Sequence, residues 1–333
     1  MKPIIEKIAL HIPDTFLSAK EISELSKLPE NYFLSKLGLK QKPVCPPNTQ
    51  SSDLAELTAN RILDGQDKDL INLVIWTGTG KQDRATWSAS TNLIQRLNLK
   101  NAWGIDLFAQ SACDVIALRI AKNIIESDPT INKVLIAGGH LLSQLIDYSD
   151  KTTSFLFNFA DGAAAVLISK GTNNLVLGSS TLSDSSFSND VVLERRVIES
   201  INQGDFAEKF ALKSDEGFKQ RLIQASTKNY QTVITDALKQ SNTPSLISHL
   251  FINHLSPSLH KTLLSNLQLS ITQSRYLFDF GHVGSIDPWI SLGIAEKEKS
   301  ITPNSLICVA SAGLGYTWSA TCFLWTHDLV HFV

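Results

Sequence analysis

No run of lysine and arginine occurs in the 333 residues, and the formal net charge is −2. The chain therefore lacks the electrostatic footprint of a nucleic-acid or anionic-membrane binder. No apolar run approaches the length of a membrane span. The opening MKPIIEKIALHIPD breaks a short apolar stretch with Glu6 and His11, so no signal peptide is expected there. Cysteine is scarce. Cys45, Cys113, Cys308 and Cys322 lie far apart and without metal-ligand spacing, so no metal site is expected, and the thiols are read as reduced in a cytoplasmic setting. Gly138-Gly139 lacks the rest of a dinucleotide fingerprint. The chain does have apolar residues in quantity: 43% of residues are hydrophobic and only 19% charged, at a length that suits two cores better than one.

The apolar residues fall into a repeated pattern. Residues 3–12 read as a strand, 18–28 as a helix, 29–38 as a short helix followed by a basic loop, and 51 onward as a helix with Leu54, Leu57 and Ile62 on one face. LINLVIWT (70–77) and KVLIA (133–137) are continuous apolar runs, as in strands buried on both faces. FADGAAAVLIS (159–169) reads as a turn at Asp161-Gly162 followed by a strand. The second half echoes this order. Residues 175–181 match the opening strand, LISHLFIN (246–253) matches LINLVIWT, LICVA (306–310) matches KVLIA, and 315–325 matches FADGAAAVLIS. Helices are expected at 223–239, 257–267 and 285–296, a short strand at 276–279, and a polar insertion or lid at 184–215. Alternating strands and helices in two matching halves imply a duplicated, layered α/β architecture, divided at 1–172 and 173–333.

Three places follow buried strands, where α/β folds put their sites. Residues 103–120 (WGIDLFAQSACDVIALRI) pass from a strand through small residues into an apolar helix, with Cys113 at the switch. Unpaired N–H groups and the positive end of a helix dipole favour thiolate there, and thiolate is the nucleophile. His254 stands in FINHLSPSLH after the LFIN strand. His282 stands in the Gly-flanked turn FGHVGS. A cysteine with two histidines from separate loops suits acyl transfer through a thioester: the thiolate attacks, backbone N–H groups hold the oxyanion, and neutral imidazoles donate to an enolate. The loop 310–315 (ASAGLG) has residues small enough for its N–H groups to approach a ligand.

The order of these motifs resembles the β-ketoacyl-acyl-carrier-protein synthase III family of the thiolase superfamily. Ser111-Ala112-Cys113 ahead of an apolar helix looks like its nucleophile motif. KVLIAGGH and FADGAAAVLIS look like its strand and Phe-Gly-Asp-Gly turn. His254 falls where its His-Gln-Ala-Asn motif begins, and residues 312–318 (AGLGYTW) look like its C-terminal glycine-rich loop. The resemblance implies a five-layered αβαβα thiolase-like fold and a homodimer, or a heterodimer with a paralogue. It implies an acyl-CoA or acyl-carrier-protein substrate and no further cofactor. The acyl group would load on Cys113, with the backbone N–H groups of Cys113 and Leu314 as oxyanion hole. Decarboxylative condensation with a malonyl- or β-keto-type thioester would follow, supported by His254 and His282. At the pantetheine entrance, Tyr32 takes the place of an adenine-stacking tryptophan and Lys36 that of a phosphate-pairing arginine.

The chain also departs from the family pattern. His282 replaces an asparagine, HLSP replaces His-Gln-Ala-Asn, and Leu314 replaces a glycine. These departures point to a specialised homologue in secondary metabolism, such as one making a polyketide starter, rather than the initiator of fatty-acid biosynthesis. Two alternatives stand beside condensation. One is acyl transfer to an oxygen or nitrogen nucleophile without decarboxylation, with His254 as base and Asp287 orienting it. The other is a subunit of a heteromeric condensing enzyme.

Overall fold

Strands that are apolar on both faces need cover on both faces, and the chain builds two such sheets. The structure is a computed structural model that describes residues 2–197, 206–214 and 217–333. Edge to edge, the first sheet runs Val330–Phe332, Lys2–His11, Asp161–Gly171, Lys133–Leu141, Ile71–Trp76 and Trp103–Asp106. The second runs Val176–Ser183, Thr317–Trp325, Ser305–Gly313 and His249–Ile252. From the opening strand of each half, successive neighbours pair antiparallel, antiparallel, then parallel. The echo between the halves is thus one of topology. The crossing exception is Val330–Phe332, which returns to pair parallel with Lys2–His11 in the first sheet.

The helices complete five layers. Ser51–Leu63 and Ala89–Leu97 cover the outer face of the first sheet, where Ala55, Ile62 and Leu93 pack against Val74, Leu135 and Leu167. Phe218–Gln240 and Pro257–Asn266 cover the outer face of the second, through Val233, Ile234 and Leu263. Between the sheets lie Cys113–Ser127 and Asp287–Lys297, in a core shared by Ile75, Ile136 and Val166 of one sheet and Phe251, Val309 and Phe323 of the other. A helix between two sheets must be apolar on all sides. Accordingly Trp289, Ile290 and Leu292, which point in different directions, are all fully buried. The expected thiolase-like αβαβα arrangement is the one observed.

Three local expectations change. Residues 276–279 form no strand; the Tyr276 hydroxyl instead donates to the Leu255 carbonyl at 2.6 Å and its ring lies 5.1 Å from that of His254. Asp161-Gly162 is the start of a strand and not a turn, because Asp161 anchors Cys45 N–H and Ser143 from inside the sheet. The segment 184–215 is less irregular than its polarity suggests. It carries a short helical turn, Ser185–Phe187, and an antiparallel hairpin of Val191–Val197 with Phe206–Leu212. The rest of that segment, 198–205 and 215, lies outside the described residues.

A buried carboxylate locks the central layer. Asp114, in the first turn of Cys113–Ser127, accepts from Ser285 Oγ at 2.6 Å and from Trp289 Nε1 at 2.9 Å. Burial raises its carboxyl above the ordinary range, with those hydrogen bonds opposing the rise. The two helix starts therefore meet at a fixed place. Asp114→Ala leaves both donors buried without an acceptor. The expected cost is about 2–5 kcal/mol, read as a lower urea midpoint at unchanged m-value.

Candidate active site

The strand Trp103–Asp106 does not run straight into its helix. Gln110 adopts a positive φ of 50°, and a short helical turn, Gln110–Ala112, precedes Cys113–Ser127. That turn is pressed against the end of strand Ser305–Gly313, where a Cβ on Gly313 would collide with the Ala109 carbonyl. The Ser311 hydroxyl donates to the Ser111 carbonyl. The turn is held so that Ser111, and not Cys113, faces a cavity of about 520 Å³.

Opposite Ser111 is His282, in a turn that Gly281 and Gly284 make possible with φ values of +64° and +74°. Its backbone is clamped to the 158–160 segment: His282 N–H donates to Asn158 O, and Ala160 N–H donates to His282 O, each at 2.8 Å. Ser111 Oγ lies 2.7 Å from His282 Nε2, and His282 Nδ1 lies 2.5 Å from Asp287 Oδ2. Asp287 is fully buried at a helix start and also accepts from Val283 N–H and His254 N–H, each at 2.7 Å. A carboxylate so held accepts from Nδ1–H, which leaves Nε2 to accept from the serine hydroxyl.

His254 borders the same cavity, but its ring is occupied differently. Nε2 lies 3.1 Å from the Gly38 carbonyl and so donates; Nδ1 lies 2.8 Å from Asn158 Nδ2 and so accepts. Burial pushes its pKa down to about 4, and the imidazole is neutral near pH 7.

The cavity brings most of the expected residues together. Tyr32, Lys36, His254, His282 and Leu314 all line it, with Lys36 on its exposed side and the two histidines buried. Tyr32 is anchored by its hydroxyl to Ser154 Oγ at 3.1 Å. Cys113 stands apart from them. It does not line the cavity; its sulfur accepts from Ala109 N–H at 3.1 Å and sits 3.4 Å from the Leu107 carbonyl, turned back toward the strand. The helix start favours thiolate, but burial outweighs it and pushes the thiol up to about 12. Of the two expected oxyanion donors, Leu314 lies on the cavity wall and Cys113 does not. Asp287 orients the ring of His282, and reaches His254 only through its backbone.

The residues missed in the sequence were Ser111 and Asn158. A hydroxyl within the small-residue run Ala109–Ala112 was the available signal for Ser111. Asn158 had none, because its partner lies 96 positions away. Behind the site, His140 holds Thr79 Oγ1 at 2.8 Å and is pushed down to about 3 by burial. Among the described residues no group of three His, Cys, Asp or Glu side chains is placed to hold a metal ion.

His260, in the helix beside Tyr276, is pushed down to about 4 by burial and by His254. Its unfolded value is near 6.5. As pH falls below that value the unfolded chain takes up the proton first, so the stability present above pH 6.5 is lost on acidification toward pH 4. His260→Asn is expected to flatten the fall in unfolding free energy between pH 6.5 and pH 4.5, measured by urea titration at each pH.

Comparison with known proteins agrees with this fold. The N-terminal model of 3-oxoacyl-[acyl-carrier-protein] synthase III matches residues 105–185 and its C-terminal model matches 238–325, together just over half of the chain. A β-ketoacyl-[acyl-carrier-protein] synthase III from Ehrlichia canis is 31% identical over 175 residues, 52% of this chain and 54% of that protein. One from Porphyra purpurea is 25% identical over 328 residues, covering 94% of this chain and 96% of that protein. The crystal structure of 3-oxoacyl-(acyl carrier protein) synthase III from Pseudomonas aeruginosa PAO1 superposes with a TM-score of 0.84 at 17% identity, over 99% of this chain and 100% of that one. With the fold, the motif order and both family models in accord, the chain belongs to the β-ketoacyl-acyl-carrier-protein synthase III family of thiolase-fold condensing transferases.

Proposed function

We propose that this protein takes an acyl group from a pantetheine thioester, acyl-CoA or acyl carrier protein, holds it covalently on the cavity floor, and passes it to a hydroxyl or amine without decarboxylation. One observation carries the reading: His282 is backed by the Asp287 carboxylate. A carboxylate-backed imidazole is a base, and a base is what an O–H or N–H acceptor requires. A carbanion formed by loss of carbon dioxide needs no base. It needs N–H donors around the enolate oxygen, and neither imidazole offers one. His282 Nδ1–H is given to Asp287, and His254 Nε2–H to Gly38.

The thioester enters past Tyr32 and Lys36, where the lysine supplies a point charge for a phosphate. The acyl chain lies against Phe155, Phe159 and Phe218. The Leu314 N–H serves the oxyanion. No cofactor beyond the thioester is required. The working form is a dimer with a second copy or a paralogue. The edge strand Trp103–Asp106, with Trp103 half exposed and Phe108 79% exposed, supports this. The altered motifs suit a role in secondary metabolism.

Kinship with condensing enzymes favours a second reading, decarboxylative condensation. Carbon dioxide release separates the two. Supplied with acyl-CoA and labelled malonyl thioester, the protein is expected to release no labelled carbon dioxide, while a hydroxyl or amine acceptor accelerates release of free CoA. Stoichiometric carbon dioxide would establish condensation instead. Lys36→Glu is expected to raise KM for acyl-CoA about tenfold, with little change in kcat, because the charge contacts only the carrier.

A further inference from the structure

We propose that Ser111 is the nucleophile, activated by His282 and Asp287, so that the enzyme carries its acyl group as an oxygen ester rather than a thioester. This rests on the acyl-transfer reading for its substrate, but the activation of the serine follows from the geometry alone. The three side chains come from three segments and form one hydrogen-bonded line, 2.7 Å from Ser111 Oγ to His282 Nε2 and 2.5 Å from His282 Nδ1 to Asp287 Oδ2. A nucleophile, a base within hydrogen-bond reach and a third group orienting the base are the parts of a serine-type acyl-transfer site, whatever the fold.

Each part is held independently of the others. The Ser111 backbone is fixed by Ser311, the His282 backbone by Asn158 and Ala160, and the Asp287 carboxylate by Val283 and His254 N–H groups. The hydroxyl faces the cavity, whereas the Cys113 thiol two residues on faces away from it.

The chemistry balances without any other reactant. Ser111 Oγ attacks the thioester carbonyl as its proton passes to His282 Nε2. The C–S bond breaks, the departing sulfur takes the proton from His282, and the serine ester remains. An acceptor O–H or N–H then gives its proton to the same Nε2 as it attacks the ester. The C–Oγ bond breaks and the proton returns to Ser111. An oxygen ester is a weaker electrophile toward carbanions than a thioester, which agrees with a base-assisted transfer to oxygen or nitrogen.

The test uses a fluorophosphonate probe on the full chain, followed by peptide mapping, alongside acylation by a panel of acyl-CoAs. Phosphonylation at Ser111 is expected in the wild type and in Cys113→Ala. In Asp287→Asn its rate should fall by about 10²-fold or more. Acyl groups should map to Ser111 and resist neutral hydroxylamine, which cleaves thioesters. Ser111→Ala should lose both labels. A wild type that the probe leaves unmodified at Ser111, or an acyl group mapped to Cys113, overturns the assignment. Because the mapping is done on the wild type, misfolding of a variant does not obscure the result. Phosphonylation of Ser111 without acylation by any thioester would leave the activated serine standing and remove the thioester reading.

Discussion

The site depends on a carboxylate with nowhere to turn. Asp287 is fully buried, and its two oxygens accept from the His282 ring, Val283 N–H and His254 N–H. Burying a carboxylate is costly unless it is well hydrogen-bonded, and these three bonds, with the helix start on which Asp287 sits, offset that cost. Through it one residue of the central layer fixes the tautomer of one histidine and the backbone of the other. Removing it would leave three donors unmatched in a place water does not reach.

The duplicated topology explains why such a residue can exist. Each half sends a helix into the layer between the sheets, and the two helices begin near one another. Asp114 ties those beginnings through Ser285 and Trp289. The hydroxyl of one half therefore meets the imidazole of the other on two turns braced by the packed helices and strands around them. The hairpin within 184–215 adds aromatic cover: Phe210 lies 5.3 Å from Phe159, which lies 5.0 Å from His282.

Strands, helices and their echo were legible because burial imposes periodicity over many residues, so LINLVIWT and LISHLFIN mark the same place in both halves. His254 was legible because it follows a buried strand, and His282 because it stands in a Gly-flanked turn. Which residue of Ala109–Cys113 faces the cavity was not. Periodicity says nothing across a turn, and the positive φ of Gln110 rotates the chain so that Ser111 points inward and Cys113 back toward Leu107. A resemblance resting on a thiol beside a helix start pointed to Cys113, and the turn presents Ser111 to the cavity. The missing strand at 276–279 has a similar cause, since Tyr276 spends its polar group on a distant carbonyl that no local pattern encodes.

The contact between Gly313 and the Ala109 carbonyl also has a consequence for how such an enzyme diversifies. Main chain rests on main chain there, leaving no room for a methyl group. The floor of the chamber is thereby frozen, while its walls of Phe155, Phe218 and Tyr316 are side chains that can be exchanged one at a time. Cargo preference can drift along those walls over generations while the machinery beneath them stays in place.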